Sequence, residues 1–517
     1  MNFKRLNRVT YGVTEESLKE LNSMGWESWV DEQLEPKDAD AEVDSRIKNF
    51  KMTIEWEGRN KRVGFERYFE TAKNLWQITQ TQPIDQFEVH RPAYEAIAYS
   101  WIKQMHSKWQ LNEIMVEFWH NHFNVSIESD EAISLLFPIY DREVIRKHTF
   151  GNFRKFLEAT AKSPCMLFYL DNVHSKASPA NENYARELME LHTMGEDAYV
   201  NHLYQDWEDV PGAKEGKPIG FIDEDIYEIA RAFTGWSVGH KMKWTEEAVP
   251  ATGEFFYNDT VHDHYQKRIF GVDFDSHRAP MQDALDVLDM VASHPATGKF
   301  LCKKLCTWLI SDNPPQSIID KAVKVWNDNY EADDQIQKVV KVILMSKEFE
   351  TGLDSKIKRP NVVMSSFFRT VGVEFMPFAD YYWYLQQMGY AQYNWGPPTG
   401  QPDNSEYWVN SYMMLKRWNI LGGTVYAHDS YDEVHMDLPK STPIIDDLGE
   451  TIQYWAKKMH GKPLSEKALA PLKKVMWEDI DYDTTFGKIR KNHPKWYDHK
   501  LRALIAMLAC SPEFQKR

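Results

Sequence analysis

Apolar residues recur along most of this chain at three- and four-residue intervals, the period of an α-helix packed on one side. Thr14-Glu-Glu-Ser17 places a hydroxyl cap ahead of Leu18 and Leu21, with Ser17 where a capping box usually carries Glu. The pattern runs on through Trp26–Leu34 and stops at Pro36. Residues 65–82, 91–122 and 141–162 read as long helices, the last ended near Ser163-Pro164. A helix over 183–194 has Gly195 as its C-cap candidate. Another over 223–234 opens on Asp223-Glu-Asp225, which suits the positive end of a helix, and closes at Gly235. Helices are also predicted over 281–293, 295–311, 316–329, 333–346 and 358–371. Between them, 196–222 reads as a surface loop and 236–272 as a loop with one hairpin that includes Gly253–Tyr257. Trp395-Gly-Pro-Pro-Thr-Gly400 keeps 390–410 out of regular helix. The predicted fold is mainly α: a large multi-helical body with long irregular loops and at most a small hairpin. A composition break near 350–357 divides it into a helical core, 1–350, and a helical C-terminal part, 351–517, packed on that core.

Charge narrows the partners. With 77 acidic against 61 basic residues the net charge is −16, which opposes general binding to nucleic acid and docking on anionic membranes but leaves room for a local basic pocket. No apolar run approaches the roughly 18 residues of a membrane span, so no membrane insertion is expected. The segment Met1–Arg8 is charged with no apolar stretch behind it, so no signal peptide is visible and a cytoplasmic location is the default expectation. Cys302 and Cys306 share a helical face with Leu301, Leu305 and Trp308 and read as buried thiols rather than zinc ligands.

Several segments concentrate chemistry. Asn181–Gly195 packs Glu182, Asn183, Arg186, Glu187, Glu190 and His192 around Leu188, Met189 and Leu191. Asn183, Glu187 and Glu190 fall on one helical face, where paired carboxylates could act as acid and base or clamp a cation. Arg186 can pair with Glu182 or Glu190, and His192 points off that face. In Phe118–Phe123, His120 and His122 point about 200° apart if helical, so they share a metal only if the helix ends there. Glu117 and His120 have the Glu-x-x-His spacing of di-iron bundles. His262-Asp263, in a loop, has the look of a ligand or general base, and Lys267 could pair with an anion on a substrate. His294 reads as a cap before Pro295. The alternative for each histidine is a hydrogen-bonded core residue, and for 181–195 a buried ion-pair network. P-loop, Rossmann, nucleophile-elbow and His-Glu-x-x-His motifs do not occur.

These motifs, in order along nearly the whole chain, resemble a bacterial family known as the domain of unknown function 1800 (DUF1800). Leu6–Gly12, Trp29–Leu34, Phe118–Phe123, Gly151–Arg154, Ser163–Asp171, Asn181–Gly195, Ile229–Trp236, His262-Asp263, Gly271, His294–Thr297, Lys358-x-Pro360 and Gly396–Gly400 carry the resemblance. The family pattern often has an apolar residue where Glu117 stands, which weakens the di-iron spacing. His120, His122, Asn183, Glu187, Glu190, His192 and His262 all fall on its motifs. Many members look exported and stand beside sulfatase-like proteins, which implies export to the periplasm or outside and an envelope or polymer-related role. The leading expectation is therefore a metal-dependent enzyme, hydrolytic or oxidative, acting on a small molecule or polymer. Zn, Mn, Fe or Cu would be held by His120, His122, Glu187, His192 and His262, with Glu187, Glu190, His262, Asn183 and Arg186 as catalytic groups. The alternatives are a metal-free acid–base hydrolase or lyase on a polysaccharide, or a non-enzymatic assembly or export factor.

Overall fold

A computed structural model describes residues 1–37, 39–56, 58–240, 249–426, 434–477 and 484–517. Part of the loop predicted over 236–272 lies outside these residues. The rest form 26 α-helices and four antiparallel two-stranded hairpins. Helix holds 61% of the chain, and the sheets are too small to organise it, so the body is mainly α. One apolar core runs continuously from Leu6 and Val9 through Trp119, Trp236 and Trp308 to Phe514. No helix among the described residues is long and apolar enough to cross a membrane.

The helices over 223–234, 281–293, 295–311, 316–329, 333–346 and 358–371 form within two residues of their expected ends. Four predicted runs are instead broken or shortened, each for a local reason. Gly25, at φ +83°, separates Glu15–Met24 from Trp26–Gln33. The 65–82 run keeps only Ala72–Gln80, because the Arg67 and Tyr68 amides donate instead to Glu95 Oε2 at 2.7 and 2.8 Å. The 91–122 run divides into Gln86–His106 and Gln110–His122, because Asp40 accepts from the Ser107 hydroxyl and the Lys108 amide at the junction. The 141–162 run begins as a π-helix, Tyr140–Arg146, and restarts at Asn152, whose side chain caps Phe153–Ala161. Three hairpins were not foreseen; strands of two to five residues are too short to show alternation against a helical background.

The Gln110–His122 helix lies at the centre and is buried almost throughout. Its last turn holds the 390–410 loop in place. Asn121 Nδ2 donates to Gln401 O at 2.9 Å and Asn121 Oδ1 accepts from Gln401 N at 2.7 Å, as one strand would pair with another. Asn124 Nδ2 donates to Trp395 O and Pro397 O, both at 2.9 Å, and the Tyr169 hydroxyl donates to Gly396 O at 2.6 Å. Gly400 stands at φ +72°, where an added Cβ would lie 2.1 Å from Asn121 O. Gly400→Ala is therefore expected to lower stability by about 2 kcal/mol or more. Gly372→Ala, at φ +82° with open space around it, should cost only about 1 kcal/mol. Urea unfolding midpoints compare the two, and equal losses would show that the loop does not press on the helix.

Candidate functional site

The helix geometry separates His120 from His122. His120 Nε2 lies 2.7 Å from Asp141 Oδ1, which is itself fully buried. Asp141 Oδ2 accepts from the Tyr68 hydroxyl at 2.7 Å and from Arg146 Nε at 2.8 Å. Arg146 also grips Glu113 at 2.9 Å and reaches the Ser100 hydroxyl at 3.1 Å. Asp141 and Arg146 are five residues apart, a spacing that an α-helix turns apart and the π-helix Tyr140–Arg146 brings together. Burial would raise Asp141, but Arg146, His120 and Tyr68 outweigh it and hold the carboxyl well below its usual range. Burial lowers His120. Every group here has a partner, as in a structural core. Glu117, three residues before His120, faces elsewhere: it accepts from the Tyr11 and Tyr390 hydroxyls and from Asn361, with Arg359 at 3.6 Å.

His122 enters a different environment. Its Nε2 lies 3.1 Å from the carbonyl of His192, so it donates, and Nδ1, 2.9 Å from Lys304 Nζ, accepts from the ammonium. His192 closes a second π-helix, Leu188–His192, which follows the short α-helix Asn183–Glu187. The Thr193 hydroxyl donates to Leu188 O, five residues back, at 2.6 Å. This turn sends His192 inward, off the Glu187 and Glu190 face. Its ring sits 6.3 Å from that of His122, and neither ring nitrogen has a hydrogen-bond partner among the described residues. Burial and the nearby Lys304 lower His192 to about 3, and burial, Lys304 and His192 lower His122 far below its usual value. Lys304 is partly exposed and has no carboxylate within ion-pair distance among the described residues. Desolvation lowers its pKa to about 8. Its Nζ stands 5.3 Å from the Phe300 ring, and behind that ring opens a pocket of about 440 Å³ whose border includes Lys217, His294, Lys299 and Lys303.

The other expected residues lie apart from this group. Glu187 and Glu190 are half-buried and Asn183 is exposed. Arg186 bonds Glu190 at 3.2 Å and reaches Asp223 at 3.5 Å and Glu182 at 3.7 Å. Desolvation, then Glu190, raises the Glu187 carboxyl. His262 Nδ1 lies 2.8 Å from Thr234 O and its Nε2 is 3.5 Å from Asp283 Oδ2. Lys267 is buried and bonded to Asp283 at 2.7 Å, so the expectation that it meets an anionic substrate is corrected: its charge is satisfied inside the protein. Arg231 binds Asp263 and Glu228 at 2.8 and 2.7 Å. Against the desolvation that would raise it, His262 and Lys267 hold Asp283 at about 2. His294 caps the next helix, accepting from the Ala296 amide at 3.1 Å.

Thus His120, His122 with His192, Glu187, and His262 occupy separate surroundings. Among the described residues no three His, Cys, Asp or Glu side chains are gathered so as to hold a metal ion. The ligand set expected from sequence does not fit a single metal in this geometry, and we derive no step through one. Lys304 was the residue that sequence reasoning passed over: Lys303-Lys304 on a helix reads as solvated charge, and nothing in its neighbourhood names His122 as a partner.

The chain belongs to the family described as protein of unknown function (DUF1800), whose model matches residues 4–516. No curated protein and no solved structure matches it.

Two measurements separate the environments. Asp141→Asn, which unbalances a buried ion group, should cost about 3–5 kcal/mol. Glu187→Gln, which neutralises a carboxyl that its surroundings already disfavour as an anion, should leave the melting temperature unchanged or raised. A destabilised Glu187→Gln variant would instead make that carboxylate structural. As pH falls, an unfolded imidazole takes up a proton near about 6.5, whereas folded His192 does so only near about 3. The unfolded state then binds more protons, so stability falls as pH drops through this window, by up to about 1.4 kcal/mol per unit for each such histidine. Urea titrations between pH 6.5 and 5 should show this slope, and His192→Asn should reduce it; equal slopes would mean that His192 is already protonated in the fold.

Proposed function

We propose that the protein is an enzyme performing metal-independent acid–base chemistry on an anionic small molecule or polymer, with Lys304 coupled to His122 as the proton-transfer pair. The observation that carries this reading is the state of Lys304: a partly exposed amine whose pKa is near 8 and which bonds an imidazole nitrogen rather than a carboxylate. Such an amine exchanges its proton near neutral pH and can serve as base, acid or nucleophile. His122 orients it: the His192 carbonyl fixes the proton on Nε2, which leaves the Nδ1 lone pair aimed at the amine. The unpartnered His192 ring adds a second neutral imidazole beside it. Lys217, Lys299 and Lys303 at the pocket behind Phe300 suit an anionic group, and this is the local basic region that a net charge of −16 makes conspicuous.

A second reading keeps the polysaccharide expectation and uses Glu187 as the acid. Its support is the contrast between Glu187, raised, and Glu190, three residues on and bonded to Arg186.

Competitive acetylation of the folded protein across pH 6–11, read by peptide mass spectrometry, tests the first reading without a known substrate. Lys304 should lose its proton with a midpoint near 8, well below the usual lysine value of about 10.4. A midpoint at the usual value, or no reaction at any pH, would remove Lys304 from the chemistry.

A further inference from the structure

A second polar cluster lies deeper in the body, outside the proposed site. Arg8, Arg359 and Arg517 come from distant parts of the chain and are each no more than 2% exposed. Two of them meet the same indole: Arg359 Cζ is 4.4 Å and Arg517 Cζ 5.4 Å from the Trp308 ring centroid. Arg8 reaches Gly352 O and the Ser355 hydroxyl through Nη2. Arg359 reaches Pro402 O and Asp403 through its own Nη2. The remaining donors are unmatched: Nε and Nη1 of Arg8, Nε and Nη1 of Arg517, Nη1 of Arg359 and Nε1 of Trp308 have no hydrogen-bond acceptor among the described residues.

The neighbouring carboxylates already have partners. Glu117 accepts from Tyr11, Asn361 and Tyr390, although Arg359 Nη1 stands 3.6 Å from it. Asp403 takes Lys356 and Arg359, Asp312 stands 3.0 Å from Lys356, and Asp354 pairs with Lys4. The main chain of Arg517 is likewise used, paired in both directions with Lys356. What this interior lacks is acceptors. Water fits that deficit poorly, since each molecule that accepts from a guanidinium must also donate, and Asn361 Oδ1 is the unmatched acceptor at hand. An anion accepts from many donors and donates to none.

We infer that Arg8, Arg359 and Arg517 enclose a small inorganic anion against Trp308. It completes the hydrogen bonding of three helices, Asn2–Val9, Pro295–Leu309 and Pro360–Val371, which supply Arg8, Trp308 and the residue after Arg359. Charge and acceptor capacity define the occupant as chloride, sulfate or phosphate.

The test uses the full chain, dialysed exhaustively into HEPES–gluconate, then unfolded in urea, with the released anions measured by ion chromatography. The expected result is about one equivalent of chloride, sulfate or phosphate per chain, the identity given by the chromatogram. Returning that anion should raise the thermal midpoint, while gluconate at equal ionic strength should not. Arg517→Met should release none; if that variant does not fold, the wild-type release and midpoint shift decide. No released anion, together with equal midpoints in chloride, sulfate, phosphate and gluconate, would overturn the inference and leave the donors to water.

Discussion

The end of one central helix constrains the rest of the molecule. Successive residues on a helix step by about 100°, so three consecutive polar side chains must leave in three directions. His120 goes to Asp141, Asn121 to the backbone of Gln401, and His122 to Lys304 and His192. Each target belongs to a different part of the chain. The last turn of Gln110–His122 therefore fixes the π-helix that carries Asp141, the irregular loop before Gln401 and the helix that carries Lys304. Moving that helix by a fraction of a turn would disturb all three at once.

The same geometry divides stability from chemistry. The His120 side is closed: Asp141, Arg146, Glu113 and Tyr68 satisfy one another in the core. The His122 side is open in a specific sense, with a lysine lacking a counter-ion and an imidazole lacking any partner. Structural networks match their donors and acceptors; groups left mismatched near a surface are where binding energy remains available.

Much of the fold was legible from periodicity, because helices such as 282–293 and 316–328 carry their own apolar stripes. The failures arose where distant groups took over local backbone: Glu95 binding the amides of Arg67 and Tyr68, Asp40 interrupting the helix at Ser107. No sequence window contains both partners of such a contact. In the site, sequence spacing correctly separated His120 from His122 and turned His192 away from Glu190. It could not show that Asp141 and Arg146 meet, because five-residue spacing joins side chains only in a π-helix. Nor could it find Lys304, whose character comes from burial beside a histidine 182 residues away.

The π-helix at Leu188–His192 also sets which kinds of genetic change this protein can tolerate. A π turn is an α-helix that has accommodated one residue too many. Loss of any single residue from this stretch would relax it to α geometry and swing everything that follows by about 100°. His192 would then leave His122, and Gly195 would leave the Phe300 ring it packs beneath. Side-chain exchanges on this segment alter one contact each, whereas a change of one residue in its length resets the register of the whole wall. Among descendants of this sequence the length of the 183–195 stretch should thus vary less than its composition.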